Sequence, residues 1–240
     1  MIERKLDIAM KDGDAEAILY RPDDERAYPG VLFLTDIFGI RPANQGMAQR
    51  LAAKGYAVLM PNVFYRHGRI PLLDFGFKMG EERSMKLMGA LFAAEPNDRM
   101  GPDGALYTDF LLAQKGVSGT KIGVVGYCFS GAMALRTAAE TPDKIAAAAS
   151  FHGGRLVTDV ADSPHLLLPR VKARLYFGHA VEDRSMTADN IKTLEAALEK
   201  WGGKYQSETY QGALHGWTVP GRNVYNEPQA ERAFAKLRDV

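Results

Sequence analysis

The sequence Lys121-Ile122-Gly123-Val124-Val125-Gly126-Tyr127-Cys128-Phe129-Ser130-Gly131 runs from an apolar segment into a glycine-flanked cysteine, and an alanine-rich segment follows at 132–140. This order predicts a strand, a sharp turn and a helix. Such a turn raises one side chain above the sheet and points the first free N–H groups of the helix toward the group that this side chain attacks. A tight turn crowds the residues two before and two after its tip, where Gly126 and Ser130 are small. We therefore predict a nucleophile elbow with Cys128, the only cysteine of the chain, at its tip.

The overall composition narrows the classes of function. The chain has 240 residues, with 30 lysines and arginines against 29 aspartates and glutamates, so its formal net charge is +1. This balance produces no basic surface field, and we expect no nucleic-acid partner. Residues 1–7 mix charged and apolar side chains, which predicts neither a signal peptide nor a membrane span. With a single cysteine and no such segment, we expect a cytoplasmic protein that does not bind a membrane.

Apolar runs alternate with amphipathic segments along the chain. A turn at 11–14 joins two alternating runs and predicts an antiparallel hairpin at the edge of a sheet. The remaining predicted strands are 31–34, 56–60, 121–125, 145–151, 173–177 and 204–210, and the predicted helices are 44–54, 81–94, 103–115, 132–140, 188–201 and 227–238. This alternation is typical of an α/β fold with a doubly wound, mainly parallel sheet and helices on both faces. We predict one domain over 1–240, in which the irregular segment 62–100 forms a lid or one wall of a site.

Two later loops supply partners for a thiol nucleophile. A thiol needs a base that takes its proton, and the base needs an acid that orients it. On a sheet with an elbow, the three follow in the order nucleophile, acid, base, each after a strand. Asp183 follows one predicted strand, and His215 lies in a glycine-flanked loop after the last one. Cys128, Asp183 and His215 are the predicted triad, with the neighbouring Glu182 as the alternative acid.

An oxyanion hole requires two backbone N–H groups beside the nucleophile. One belongs to the residue after the nucleophile, Phe129, and the other to the loop that follows the strand 31–34. In that loop the most suitable residue is Ile37, and Gly39 allows the chain to curl inward. We therefore predict that the amides of Ile37 and Phe129 stabilise the negative charge on an attacked carbonyl.

These motifs together resemble the dienelactone hydrolase family of α/β-hydrolases. The resemblance covers nearly the whole chain and is carried by the elbow at 126–131, the loop Asp36-Ile37-Phe38-Gly39, Gly55-Tyr56-Ala57 with Pro61, Asp183, and His215-Gly216-Trp217. It implies an α/β-hydrolase fold and a hydrolase of small esters or lactones of the carboxymethylenebutenolidase type. It also implies Cys128 as the nucleophile, His215 as the base and Asp183 as the orienting acid, with Ile37 and Phe129 as the oxyanion donors.

The sequence departs from the pattern of that family at three positions. Asp36 stands where a glutamate usually contacts the resting thiol, so we expect Asp36 to contact the thiol or the substrate. The two arginines with which the prototype enzymes bind a substrate carboxylate align near Glu81 and Val219, and neither is an arginine here. Arg83 and Arg222 lie a few residues away and are the candidates to replace them.

Several other side chains have two interpretations. Trp217 and Phe38 are candidates to line the substrate pocket, and filling of the core is the alternative for both. His152 and His179 also follow predicted strands, where a histidine is more often structural or pocket-lining than a base. We expect Arg66 to be solvated.

The predicted reaction is hydrolysis of small esters or lactones through a cysteinyl acyl-enzyme. Because a thiolate is itself a good leaving group, we expect enol esters to react and simple alkyl esters to react poorly. The sequence contains neither a zinc-ligand spacing nor a dinucleotide-binding glycine motif, so we expect no metal and no cofactor, and a small-molecule ester or lactone as the substrate. The alternatives are a thioesterase or carboxylesterase with the same triad, and a non-catalytic module that binds a small molecule and senses oxidants through Cys128.

Overall fold

The runs predicted as strands form one mixed sheet. The computed structural model describes residues 1–73, 76–77 and 80–240. In this part of the chain the strands are β1 (Ile2–Met10), β2 (Gly13–Arg21), β3 (Tyr28–Leu34), β4 (Ala57–Pro61), β5 (Val117–Tyr127), β6 (Ile145–Phe151), β7 (Arg174–Ala180) and β8 (Tyr205–Tyr210). Their order in the sheet is β1-β2-β4-β3-β5-β6-β7-β8. β2 pairs antiparallel with both β1 and β4, and every pair from β4 onward is parallel, which confirms the edge hairpin and the mainly parallel sheet.

Helices cover both faces of this sheet. They are α1 (Pro42–Ala52), α2 (Glu82–Ala94), α3 (Asn97–Leu112), α4 (Phe129–Glu140), α5 (Ala188–Trp201) and α6 (Glu227–Asp239), with a 3₁₀ helix at Pro164–Arg170. Alternate residues of β3 enter two separate cores: Leu32 and Leu34 pack with residues of α3, α4 and α5, whereas Val31 and Phe33 pack with residues of α1 and α6. Strands buried on both faces need apolar side chains at every position, which explains the continuous apolar runs in the sequence.

Three helices begin earlier than the sequence predicts, and one of them, α4, begins at Phe129 rather than at 132, directly after the tip of the elbow. α1 begins at Pro42 rather than at 44, because the fixed backbone of proline suits the first turn of a helix. α3 begins at Asn97 rather than at 103, and Pro102 therefore lies inside the helix. Proline is typical of a helix start, so the pattern at 102 predicts a boundary that the structure does not have. The predicted helix 81–94 is confirmed by α2, and residues 74–75 and 78–79 of the irregular segment lie outside the described residues.

The sheet brings the predicted site residues to one edge. β3, β5, β7 and β8 run parallel, so their carboxyl ends lie on the same side, where α/β folds bind ligands. The loops after these strands carry Ile37, Cys128, Asp183 and His215 respectively. Residues up to 178 positions apart in the sequence thus lie together through strand pairing alone.

Candidate active site

The predicted elbow is present between β5 and α4. Cys128 has φ 55° and ψ −117°, a conformation that a residue with a side chain rarely adopts, and α4 begins at the next residue. A Cβ added to Gly126 would lie 1.9 Å from the carbonyl oxygen of Ser130, so only glycine fits there. The small residues that the sequence places around Cys128 are therefore required by the close approach of the backbone.

The structure brings the three predicted triad residues together. His215 Nε2 lies 3.0 Å from Cys128 Sγ, and His215 Nδ1 lies 2.6 Å from Asp183 Oδ2. The other oxygen of Asp183 accepts hydrogen bonds from the backbone N–H of Ser185 at 2.8 Å and from its hydroxyl at 2.6 Å. The carboxylate is therefore held on both oxygens and fixes the ring of His215 with Nε2 toward the thiol. The alternative acid, Glu182, makes neither contact.

The charges of the site favour a protonated His215. Burial disfavours the imidazolium, but the adjacent Cys128 sulfur and the hydrogen bond to Asp183 outweigh it and raise the pKa of His215 to about 10. Burial likewise opposes the charged form of Asp183, but the hydrogen bonds from His215 and Ser185 keep the pKa of this carboxyl below its usual value. The arrangement can thus take a proton from the thiol and hold it beside the sulfur.

The two predicted oxyanion donors lie beside the nucleophile. Ile37 and Phe129 line the same cavity as Cys128. Phe129 is the first residue of α4, so its N–H has no partner within the helix. Among the described residues, neither of these two amides donates to a protein acceptor. Both N–H groups are therefore available to a bound oxygen.

The candidate triad opens into a cavity of about 530 Å³, a size typical of sites for small organic molecules. The apolar part of its lining comes mainly from α2, α3 and α4, with Met88, Phe92, Pro96, Met100, Phe129 and Ala132. The irregular segment therefore forms one wall of the site, as predicted. Charged groups also line the cavity, namely Arg155, Arg222, Glu95, Asp98 and Asp162. The cavity suits a ligand with both an apolar part and a polar group.

Asp36 and Trp217 do not contact the thiol or the cavity. Asp36 is buried, and its two oxygens accept hydrogen bonds from Arg41 at 2.5 and 2.7 Å, so the structure does not bring it to the thiol. Trp217 is fully buried and packs against His152 and Tyr210. For Trp217 the core alternative therefore holds. Phe38, by contrast, does line the cavity.

Of the two candidate arginines, the structure places only Arg222 at the site. Its guanidinium carbon lies 4.9 Å from the centre of the Phe38 ring and 3.4 Å from the position of a Cβ on Gly216, the residue after His215. Arg83 is exposed on α2 and does not line the cavity. Sequence reasoning missed Arg155, which follows β6 with φ 56° and lines the cavity, because no motif marks it.

The prediction that Arg66 is solvated is wrong. Its side chain is only 14% exposed and forms ion pairs with Asp12, Glu95 and Asp103 at 2.8, 2.6 and 2.8 Å. Burial, together with the charge of Asp103, raises the pKa of Glu95 to about 8, although Arg66 opposes this shift. Glu95, which lines the cavity, therefore belongs to a buried cluster of charges around Arg66. No local sequence pattern marks this cluster.

Two features are absent from the part of the chain that the structure describes, a membrane-spanning helix and a metal-binding cluster. No helix there is both long and apolar enough to cross a membrane. No group of three or more histidine, cysteine, aspartate or glutamate side chains in that part is arranged to hold a metal ion.

The α/β-hydrolases share a mainly parallel sheet with a strand–turn–helix elbow that carries the nucleophile, and their acid and histidine lie in later loops. This chain has the α/β-hydrolase fold. It superimposes on a Klebsiella pneumoniae protein described as a dienelactone hydrolase with a TM-score of 0.87, at 21% identity, covering 99% of this chain and 97% of that one.

Comparison of sequences identifies the family. The profile of the dienelactone hydrolase family matches residues 15–240. Hydrolase tropI of Talaromyces stipitatus is 31% identical over 87% of this chain and 78% of its own length. Carboxymethylenebutenolidase of Rhodococcus opacus is 27% identical over 92% of this chain and 82% of its own length. The chain belongs to the dienelactone hydrolase family and is a hydrolase that acts on esters or lactones.

Proposed function

We propose that this hydrolase cleaves enol esters or lactones that carry a carboxylate, with Cys128 as the nucleophile, His215 as the base and Asp183 as the orienting acid. The observation that carries the proposal is the continuous chain of contacts from Cys128 Sγ through both ring nitrogens of His215 to the buried Asp183. A module that only binds a ligand has no need for such a chain, which favours catalysis over oxidant sensing.

In the first half of the reaction, the Cys128 thiol transfers its proton to His215 Nε2, and the sulfur attacks the carbonyl carbon. Negative charge develops on the carbonyl oxygen between the N–H groups of Ile37 and Phe129, where each such donor contributes about 3–4 kcal/mol to the barrier reduction. The bond to the leaving oxygen then breaks, and His215 returns its proton to that oxygen. The acyl group remains on Cys128 as a thioester.

In the second half, His215 takes a proton from a water molecule, and the water oxygen attacks the thioester carbon. The carbon–sulfur bond breaks, the acid product leaves, and the sulfur again faces the imidazolium. The first tetrahedral intermediate returns to substrate unless the oxygen leaving group departs faster than the thiolate. Enol leaving groups satisfy this condition better than alkoxides.

The carboxylate preference is supported by Arg222. The name of the Rhodococcus opacus relative, carboxymethylenebutenolidase, describes a lactone that carries a carboxylate group. Of the two arginines that line the cavity, Arg155 and Arg222, Arg222 is the one beside Gly216, the residue after His215, and positions 81 and 219 themselves carry no arginine. A guanidinium that lines the same cavity as Cys128 can fix a substrate carboxylate while the ester carbon faces the thiol.

The test uses a dienelactone with a free carboxylate and its methyl ester, each with wild type, Cys128→Ala, Arg222→Gln and Arg83→Gln. We expect Cys128→Ala to abolish turnover of both compounds, and mass spectrometry of the wild type mixed rapidly with substrate to show the thioester adduct. Arg222→Gln should raise the KM of the carboxylate by about 10-fold or more and leave that of the methyl ester nearly unchanged.

Arg83→Gln is the matched control, since it removes the same charge from an exposed position outside the cavity. Turnover that survives in Cys128→Ala would overturn the assignment of the nucleophile. Equal effects of Arg222→Gln on both compounds would overturn the carboxylate preference alone.

A further inference from the structure

A second histidine lies against the nucleophile without facing the substrate. His152 follows β6 and is only 1% exposed. Its Nδ1 lies 3.1 Å from the backbone nitrogen of Cys128, and its Nε2 lies 2.8 Å from the hydroxyl oxygen of Thr218. The centre of its ring is 5.3 Å from that of His215. His152 is absent from the cavity lining, so it does not meet the substrate.

The contacts of His152 determine where its proton lies. A backbone N–H can only donate, so Nδ1 accepts from Cys128 and carries no proton. The remaining ring proton is therefore on Nε2, which donates to the oxygen of Thr218. Burial and the nearby charges of His215 and Arg222 lower the pKa of His152 well below its usual value, in agreement with a neutral ring.

The backbone of Cys128 needs support because its conformation is unfavourable. A residue with a side chain is strained in this region and persists there only where its surroundings fix it. Its carbonyl oxygen accepts from the N–H groups of Gly131 and Gly154, both at 3.1 Å. Its N–H is shared between the carbonyl of Phe151 and His152 Nδ1, again at 3.1 Å each. The imidazole is the only side chain that holds this peptide group in the described part of the chain.

We propose that His152 and Thr218 form a positioning pair: Thr218 fixes the ring as the tautomer with the proton on Nε2, and Nδ1 then holds the peptide of Cys128 so that Sγ faces His215. This inference rests on the proposed role of Cys128 as the nucleophile. It makes His152 a positioning residue, since its ring does not line the cavity, bonds to the nucleophile only through the backbone N–H of Cys128, and meets the base only by packing against the ring of His215. Because the ring of His152 is neutral, the positive charge of the histidine pair is carried by His215 and not shared with His152.

The proposal separates conservative from disruptive substitutions at both positions. In His152→Asn the side-chain amide oxygen can accept from the N–H of Cys128 near the position of Nδ1, whereas the side chain in His152→Leu offers no acceptor. Thr218→Ser keeps the acceptor for Nε2–H, whereas Thr218→Val keeps the shape and removes the oxygen. In Thr218→Val neither tautomer is satisfied, because a proton on Nδ1 would face the N–H of Cys128.

Two rates are measured for each variant: kcat with the dienelactone, and the rate at which iodoacetamide alkylates Cys128, which needs no substrate. We expect kcat to fall by about 10- to 100-fold in His152→Leu and Thr218→Val, with a smaller change in KM, because a misplaced nucleophile loses the reactive geometry. Alkylation should slow in the same two variants. His152→Asn and Thr218→Ser should recover most of both rates.

Circular dichroism and thermal unfolding establish that each variant is folded, and Thr218→Val carries the test if His152→Leu does not fold. Wild-type rates in Thr218→Val would overturn the proposal. Equally slow rates in Thr218→Ser and Thr218→Val would overturn it as well, because they would assign the effect to packing and not to the hydrogen bond. Failure of the proposed function shows differently, as dienelactone turnover that does not depend on Cys128.

Discussion

Replacement of Asp183 by asparagine tests the link between the buried carboxylate and the base. The carboxylate accepts from His215 Nδ1 at 2.6 Å and its side chain is only 4% exposed. A hydrogen bond to a charged group of this kind is worth about 1.5–3 kcal/mol. In Asp183→Asn the amide oxygen keeps the contact with Ser185, so the NH₂ group faces His215 Nδ1. The ring must then place its proton on Nε2 or leave a donor unpaired.

The tautomer conflict adds about 1–3 kcal/mol to the lost hydrogen bond, since an unsatisfied buried donor costs that much. The two contributions together amount to about 2.5–6 kcal/mol, which predicts a loss of about 10²- to 10⁴-fold in kcat. KM should change by less than about 3-fold, because Asp183 does not line the cavity. Steady-state kinetics with the dienelactone provides the measurement.

Glu182→Gln is the control for this experiment. It removes one carboxylate at the adjacent position, which the structure places outside the contacts of His215, so its kinetics should match those of the wild type. A kcat of folded Asp183→Asn within about 3-fold of the wild type would contradict the role of Asp183 as the orienting acid. An equally large loss in Glu182→Gln would contradict it too, since Glu182 would then share or replace that role.

Three further predictions concern pH and packing. The pKa of Glu95 is raised from 4.5 to about 8 in the folded state, so folding is favoured while this carboxyl stays protonated. The wild type should therefore lose stability relative to Glu95→Gln as the pH rises through this range, by at most about 5 kcal/mol. Urea unfolding of both proteins at pH 5 and pH 9 measures the difference. Identical pH dependence in the two proteins would contradict this. Above about pH 10, kcat/KM should fall because His215 loses the proton that it donates to the leaving group. In Asp183→Asn this decline should begin at lower pH, since the carboxylate that raises the pKa of His215 is gone. Circular dichroism at each pH excludes alkaline unfolding. In Gly131→Ala the new Cβ would lie 2.4 Å from Ser150 Oγ and 2.6 Å from the Cα of Gly153, so urea unfolding should show a destabilisation of about 1–3 kcal/mol. In Gly89→Ala the new Cβ would meet no described atom within 4 Å outside its own turn of helix, so this variant should be neutral or more stable by up to about 1 kcal/mol. A similar loss in both variants would contradict the clash.

The fold could be predicted because its signals are local. Apolar runs buried on both faces mark β3 and β5, and the small residues around Cys128 mark the elbow without any knowledge of distant contacts. The start of α3 could not be predicted, since Pro102 is typical of a helix start and only tertiary packing places it inside one. Local chemistry thus predicts which elements exist better than where they begin.

The site divides in the same way. Cys128 and His215 follow from position after a strand, and their distance follows from the parallel pairing of β5, β6, β7 and β8. The contacts of Asp36 do not follow from its position in the sequence, because Arg41, five residues later, donates hydrogen bonds to both oxygens of its carboxylate. Side chains whose partners lie in other loops, such as Arg222 on the ring of Phe38, can be placed only when the fold is known.

The part of the cavity wall on α2 and α3 and the groups proposed to do the chemistry come from separate stretches of the chain. Met88, Phe92 and Met100 lie on α2 and α3, whereas the triad follows β5, β7 and β8. A substitution in the wall therefore changes the shape offered to an acyl group without moving the sulfur, the imidazole or the carboxylate. During evolution such a protein can drift toward new substrates by changing this wall while selection preserves one reaction, and a directed library confined to 88–100 samples the same freedom in the laboratory.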